Sequence, residues 1–175
     1  MNRIMLDVES LGNKPGSVIV AVAAVEFSAE GLGREFYTRV DAESCEHVGL
    51  NLDASCVIWW LQQSEEARAE ICLPGIPINQ ALLHLSTWLP PPVERPDGSG
   101  KKDGPEIWGN GASFDPVLLE GAYRACGLTI PFRPFSIRCY RTLKALFPLI
   151  APPANDIAHN ALADARAQAM HASEY

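Results

Sequence analysis

The chain has 175 residues and a mass of 19.0 kDa, the size of one ordinary domain. Hydrophobic residues make up 47% of the chain and charged residues 20%, and this globular composition excludes a disordered protein. The net charge of −7, from 14 Lys and Arg against 21 Asp and Glu, argues against binding nucleic acid through bulk positive charge.

Three strands are predicted at the start of the chain. Residues 3–9 form a short apolar run, residues 18–27 are dense in Val and Ala as in a buried strand, and residues 35–40 alternate between apolar and polar side chains. Turns that contain glycine separate them, at residues 12–16 and 31–33. This pattern predicts a three-stranded antiparallel meander.

Helices and a loop are predicted next. Asp53 or Ser55 can cap one helix, Ser64 and the two acids after it open another, and residues 77–89 carry an apolar stripe at helical spacing. Residues 90–105 hold five prolines and three glycines, which is typical of an exposed loop. Each flank of this loop is too small for a core of its own, so one domain over residues 1–175 is predicted.

The last part of the chain adds a strand and three helices. Residues 106–109 are predicted as a strand, and Ser113 as the cap of a helix that runs to about Ala125. Residues 137–147 are predicted as a helix, and Asn160 begins a last helix that reaches residue 172. The order of elements predicts an α/β fold, with a mixed sheet and helices packed on it.

The cysteines and the apolar runs indicate a cytoplasmic protein. The five cysteines are odd in number, widely spaced and without a C-x-x-C pair, so reduced thiols are expected rather than a disulfide framework or a zinc finger. The longest apolar run covers only residues 18–25, too short for a membrane helix, and no signal peptide is evident. No membrane partner is therefore expected.

Two acids lie in the first predicted strand. Asp7 and Glu9 are two residues apart, so both side chains point to the same face of the strand. Two acids on one face of an otherwise apolar strand repel each other unless a cation lies between them. The alternative is that the strand ends near Leu6 and that both acids are solvated.

Two further acids and a histidine lie near predicted helix starts. Asp115 is in the first turn of its helix, where an acid also stabilises the helix dipole by ~0.3–1 kcal/mol. His159 and Asp164 are five residues apart, which separates them by about 140° on a continuous helix. Both can face one site if His159 precedes the helix; the alternative is a surface histidine and a solvated acid.

Together these residues are typical of a divalent metal site. Mg²⁺ and Mn²⁺ prefer oxygen ligands, several of them anionic, and four carboxylates can hold two cations on either side of a phosphoryl displacement. One histidine without a cysteine or second histidine nearby does not indicate zinc. A histidine beside such a centre is suited to take a proton from an attacking water.

These motifs resemble those of the DEDDh branch of the 3′–5′ exonuclease superfamily, which is DnaQ-like with a ribonuclease H fold. The resemblance rests on Asp7-x-Glu9 with Ser-Leu-Gly behind it, on Phe114-Asp115 and on His159-x4-Asp164. Residues 58–64, 108–115 and 159–166 are similar to the phage exonuclease A and mycobacterial 3′–5′ exoribonuclease group. The resemblance spans residues 4–169, and Ser10 keeps the hydroxyl where threonine is common.

The resemblance implies a role for each motif residue. Asp7 would bridge two cations, Mg²⁺ or Mn²⁺. Glu9 and Asp164 would complete the first cation site, and Asp115 would hold the second cation. His159 would be the general base. The product would be a nucleoside 5′-monophosphate released from a 3′ end.

Substrate-binding residues are expected around these motifs. Ser10 and Leu11 follow the first acids, and the resemblance implies that Leu11 wedges against the terminal base. Trp108, Asn110 and Phe114 flank the second motif and are predicted to contact the terminal nucleotide, the aromatic side chains by stacking. Core packing is the alternative for Trp108 and Phe114.

Two further features point to a bound strand. Trp59 and Trp60 are adjacent on a helix and cannot share a face, so one is predicted in the core and the other along a substrate groove. Residues 121–155 hold five Lys and Arg and no acid, which suits a phosphate backbone. Arg138 or Arg141 is predicted to contact phosphate; an ordinary solvated helix face is the alternative.

The leading hypothesis is a 3′–5′ exonuclease that uses two divalent cations on the 3′ end of single-stranded or 3′-overhanging RNA or DNA. The alternatives are a non-catalytic nucleic-acid-binding module with a degenerate site, and a phosphatase of small nucleotides. RNA and DNA are not distinguished, because no residue identifies a contact to the 2′-hydroxyl. The resemblance also leaves room for a homodimer.

Overall fold

The computed structural model describes residues 3–94, 98–100, 102–153 and 159–175. The strands are β1 (Arg3–Ser10), β2 (Ile19–Ser28), β3 (Gly31–Arg39), β4 (Val93–Glu94), β5 (Lys102–Asp103), β6 (Glu106–Gly109) and β7 (Ile137–Cys139). The helices are α1 (Ala42–His47), α2 (Ala54–Leu61), α3 (Glu65–Cys72), α4 (Ile78–Trp88), α5 (Asp115–Ala125), α6 (Tyr140–Leu146) and α7 (Ala161–Ser173), and a 3-10 turn spans Pro134–Ser136.

Five strands form one mixed sheet in the order β3-β2-β1-β6-β7. β1 and β3 each pair antiparallel with β2, which confirms the predicted meander. β6 pairs parallel with β1, and β7 pairs parallel with β6. The carboxyl ends of β1, β6 and β7 therefore meet at one edge of the sheet, so residues that follow these strands lie close together.

The strands β1 and β2 are buried on both faces of the sheet, which explains their apolar composition. One face packs Ile4, Leu6 and Val8 against helices that include α4 and α5. The other face packs Met5 and alanines of β2 against a stripe of four alanines on α7, at positions 161, 165, 169 and 172. Because these side chains are small, α7 approaches the strands closely.

Several predicted boundaries differ from the structure. Asp53 and Ser64 do cap helices, as predicted. Ser113 does not, because the helix begins at Asp115 after a turn and no side chain caps it. Residues 137–139, predicted as helix, pair with β6 as strand β7, and the helix starts only at Tyr140. The prediction there was wrong because three strand residues are too few to show alternation.

The helix α1, the strands β4 and β5 and the 3-10 turn were not predicted. The six-residue helix α1 begins after Asp41, whose side chain accepts a hydrogen bond from the backbone N–H of Glu43. The loop predicted over residues 90–105 contains a small hairpin of β4 and β5, and residues 95–97 and 101 lie outside the described part of the chain. All five cysteines are free thiols. Within the described residues, no helix is long and apolar enough to cross a membrane.

Candidate active site

Asp7 and Glu9 lie near the carboxyl end of β1, on the face covered by α7. The strand continues to Ser10, so the alternative in which it ends near Leu6 does not hold. The residues opposite on β2 are Ala23 and Ala21, whose small side chains leave room for the two carboxylates. Both acids therefore project from an otherwise apolar sheet face toward the start of α7.

His159 and Asp164 meet at the start of α7. Asn160 caps this helix by accepting a hydrogen bond from the N–H of Ala163, so His159 precedes the helix and Asp164 lies in its first turn. His159 has the left-handed φ of 64°, which few residues adopt outside turns and functional sites. This conformation directs its N–H to the Oδ2 of Asp164 at 3.0 Å. The placement is the one predicted for convergence on one site.

Three of the four acids form a compact cluster. Asp7, Glu9 and Asp164 each offer a carboxylate oxygen within 4.8 Å of the others. Asp115, the first residue of α5, is 2% exposed and lies across the same pocket. Its Oδ1 accepts from the N–H of Val8 at 3.2 Å, and its Oδ2 from the N–H of Asn110 at 3.1 Å. These bonds fix the fourth carboxylate to the ends of β1 and β6.

The close approach of Asp115 to β6 requires a glycine. A Cβ added at Gly109 would lie 2.9 Å from the Oδ2 of Asp115 and 3.0 Å from the Cδ of Pro116. Both distances are shorter than a normal contact, so any larger residue there would displace the carboxylate. The Trp-Gly-Asn-Gly turn thus positions Asp115 by leaving space for it.

The site concentrates negative charge among carboxylates that are buried or half-buried. The pKa of Asp7 is raised well above its usual value, first by burial and then by Asp115, Glu9 and Asp164; a hydrogen bond from Gln168 opposes the rise. Burial raises the pKa of Asp115 to about 7, against the hydrogen bonds it accepts and the charge of Arg141. An all-oxygen anionic donor set of this kind fits a hard divalent cation such as Mg²⁺ or Mn²⁺.

These pKa shifts predict how stability depends on pH without metal. At Asp7 and Asp115 the folded chain holds more protons than the unfolded chain, from about pH 4, where free aspartate titrates, up to about pH 7 for Asp115. The free energy of unfolding therefore falls as pH rises. We expect the Tm in EDTA to drop by about 5 °C or more from pH 5 to pH 8 by calorimetry, and less in Asp115→Asn. A Tm that rose over this range would contradict the raised pKa values.

The predicted site residues divide into two groups. The acids line one cavity of about 250 Å³ together with His159, and this cavity also contacts Asn110, Phe114 and Arg141. Arg141 follows the end of β7 by two residues and is the single Lys or Arg among the described lining residues. Eight of the twelve predicted side chains are therefore brought together at the carboxyl edge of the sheet.

The other four predicted side chains lie elsewhere. The hydroxyl of Ser10 donates to the backbone oxygen of Gly12 at 2.6 Å, and Leu11 packs against the core. Trp108 packs edge-on against Phe27, with ring centroids 5.9 Å apart, on the face covered by α7. Arg138 lies within β7 and its guanidinium pairs with Glu106 at 3.0 Å, at the opposite end of β6 from the acids.

Sequence reasoning did not find Gln168, and it did not decide which of Trp59 and Trp60 lies in the core. Gln168 donates from Nε2 to the Oδ1 of Asp7 at 2.8 Å; it follows Asp164 by four residues, so helical periodicity was its one signal. Of the two tryptophans, Trp60 is the core residue, 1% exposed, and its Nε1 donates to the backbone oxygen of Ser10. Trp59 is 40% exposed, with its ring centroid 4.9 Å from that of His159.

The fold matches those of solved nucleases. It aligns with the cell-death related nuclease CRN-4 at a TM-score of 0.62 and 11% identity over 98% of this chain. It aligns with Escherichia coli exonuclease I in complex with a dA16 oligonucleotide at a TM-score of 0.62 and 17% identity over 99% of this chain. It aligns with the nuclease domain of 3′hExo, a DEDDh family member bound to rAMP, at a TM-score of 0.61 and 15% identity over 98% of this chain. The chain spans 62%, 40% and 90% of these three proteins.

The ribonuclease H-like fold and the four acids with one histidine define a member of the DEDDh 3′–5′ exonuclease superfamily. No curated protein sequence matches the chain. The family model of the 3′–5′ exoribonuclease Rv2179c-like domain matches residues 2–175. The chain belongs to this family.

Proposed function

We propose that this exonuclease removes nucleotides one at a time from the 3′ end of single-stranded RNA and releases nucleoside 5′-monophosphates. The cluster of Asp7, Glu9 and Asp164 beside His159 carries the proposal, because it joins a hard-metal donor set to a group that can take a proton. RNA is the first substrate to test because the family is described as exoribonuclease. Residues 1–175 would act as one catalytic domain.

Two divalent cations, Mg²⁺ or Mn²⁺, fit the acids of this chain. Asp7, Glu9 and Asp164 would hold one cation, and Asp7 with Asp115 would hold the other. Bound cations of this kind polarise a phosphoryl oxygen and neutralise charge on the attacking and leaving oxygens. The raised pKa values of Asp7 and Asp115 support this proposal, since burial raises both and the neighbouring acids raise the pKa of Asp7 further, an arrangement that a divalent cation would stabilise.

His159 is proposed as the general base. Its backbone is tied to Asp164 and its ring packs edge-on against Trp59 and Trp60, at centroid distances of 4.9 and 6.0 Å. These contacts hold the imidazole at the mouth of the acidic cavity, where a ring nitrogen would accept a proton from the attacking water. Arg141 and Asn110 line the same cavity, and Arg141 would contact a phosphate of the strand.

The exposed face of Trp59 is proposed to stack on a base near the 3′ end. Because stacking on an aromatic side chain contributes ~1–3 kcal/mol per base, we expect Trp59→Ala to raise the KM for a single-stranded oligonucleotide roughly 5- to 100-fold. Trp59→Phe should keep most of the affinity. The neighbouring Ile58→Ala, at a 56% exposed position, is the matched control. Unchanged KM in Trp59→Ala would contradict the stacking role.

Substrate choice is tested by degradation of matched RNA and DNA strands. Single-stranded and 3′-overhanging forms of each are incubated with Mg²⁺ or Mn²⁺, and the released product is identified by mass. We expect single-stranded RNA to be degraded fastest, with a nucleoside 5′-monophosphate as the product. Faster degradation of DNA would contradict the RNA assignment. Hydrolysis of free nucleotides without degradation of any strand would favour a small-nucleotide phosphatase instead.

A further inference from the structure

One polar side chain in the acidic cavity is neither a carboxylate nor the histidine. Gln168 is 8% exposed, lies on α7 one turn beyond Asp164, and lines the cavity. Its Nε2 donates to the Oδ1 of Asp7 at 2.8 Å. Asp7 is the carboxylate that both proposed cation sites would share. The hydrogen bond from Gln168 therefore acts on the acid whose orientation has to suit both sites.

The position of Gln168 follows from the packing of α7. The helix contacts the sheet through alanines, among them Ala165 and Ala169, which flank Gln168 and are fully buried. A long side chain set among such short ones reaches deep toward β1. An amide suits this place for an electrostatic reason: a carboxylate would add to the repulsion among the acids, and an ammonium group would compete with a cation for them.

The other end of the amide is also informative. Within the described residues, the Oε1 of Gln168 is buried and has no hydrogen-bond partner. Native structures leave few buried polar atoms unsatisfied, and such atoms often belong to functional sites. The donor bond to Asp7 is therefore the contact that ties this amide to the acidic site.

We propose that Gln168 is a positioning residue for the metal centre: its amide holds the carboxylate of Asp7 in the orientation needed to share an oxygen cluster with Glu9 and Asp164. The inference rests on the proposed function, in which these acids hold divalent cations. Substituting a residue that hydrogen-bonds a ligating carboxylate or histidine typically lowers metal affinity or activity 10- to 100-fold.

The test is direct Mn²⁺ binding to the full chain, measured by electron paramagnetic resonance without any substrate. Gln168→Met keeps the length and charge of the side chain but removes the amide, and we expect about 10- to 100-fold weaker Mn²⁺ binding. Gln168→Asn keeps an amide that is one methylene too short for the 2.8 Å contact, and it should also bind more weakly. Gln80→Met, on the exposed face of α4, should bind like wild type.

Folding and activity separate positioning from a structural role. The Tm of Gln168→Met in EDTA should stay within a few degrees of wild type, and saturating Mn²⁺ should restore most of its kcat. Mn²⁺ binding by Gln168→Met as tight as wild type would overturn this inference alone, as would a kcat loss that no Mn²⁺ concentration restores. A wild-type protein that binds no Mn²⁺ would contradict the proposed function together with the inference.

Discussion

Asp7→Asn is expected to reduce exonuclease activity at least 10³-fold, which corresponds to about 4 kcal/mol of transition-state stabilisation. The substitution keeps the shape of the side chain but removes the charge that the acidic cluster contributes to a divalent cation. Asp7 has the largest effect because it is the acid proposed to serve both cation sites. The measurement is the rate at which a 5′-labelled single strand is shortened at saturating Mg²⁺ or Mn²⁺.

The same substitution should act in the opposite direction on the metal-free protein. Burial and three neighbouring acids raise the pKa of Asp7, so charge on this side chain opposes folding at neutral pH. We expect Asp7→Asn to raise the Tm in EDTA by several degrees. Glu46→Gln, an exposed acid on α1, is the control for both readouts. Activity near wild type would contradict the metal-ligand role, and a lower Tm in EDTA would contradict the raised pKa of Asp7.

His159→Gln is expected to lower kcat by about 10²- to 10⁴-fold, the range that general acid–base catalysis contributes. Glutamine retains polarity but does not take up a proton at neutral pH. Because the link from His159 to Asp164 runs through its backbone N–H, the acidic cluster should persist, and Mn²⁺ should bind with nearly wild-type affinity. Single-turnover degradation of a labelled strand measures the effect on the chemical step.

The control for His159→Gln is His84→Gln, at an exposed position on α4, which should leave kcat unchanged. Two results would count against the base: kcat within a few fold of wild type in His159→Gln, or a loss of Mn²⁺ binding as large as the loss of activity. The second result would mean that the substitution lowers activity by disturbing Asp164 rather than by removing the group that accepts the proton.

The strands at the start of the fold were predictable because composition and burial agree there. β2 is buried on both faces, and its Val and Ala run reveals this directly. β7 was not predictable, since its three residues pair with β6, a partner about 30 positions earlier in the chain. Helix α1 was missed for a related reason: its six residues are too few to show a helical period of apolar side chains that distinguishes a helix from a loop.

The charged part of the site was predictable and its neutral part was not. The spacing of Asp7 and Glu9 fixes a shared strand face, and the interval from His159 to Asp164 fits a residue before a helix and one in its first turn. An amide carries no comparable signature, so Gln168 became visible only through its contact with Asp7. Adjacent apolar positions on the short helix α2 likewise left Trp59 and Trp60 equivalent until packing distinguished them.

The basic stretch shows why local charge alone is a weak guide to contacts. Three of its cations already interact with other side chains: Arg124 lies 3.6 Å from Glu120, Arg138 pairs with Glu106, and Lys144 lies over the ring of Tyr140. Arg141 is the member that reaches the acidic cavity. Glu120 and Tyr140 precede their cations by four residues on the same helices, whereas Glu106 belongs to another strand, a partner that linear spacing does not reveal.

Directional degradation tests the central proposal most directly. A 5′-labelled linear RNA and a circular single strand of the same sequence are each incubated with the enzyme and Mn²⁺, and the products are resolved over time on a denaturing gel. We expect a ladder of progressively shorter labelled strands from the linear RNA, its loss in the Asp7→Asn and His159→Gln variants, and an intact circle. Cleavage of the circle, or immediate release of the labelled 5′ nucleotide, would contradict stepwise hydrolysis from the 3′ end at this site.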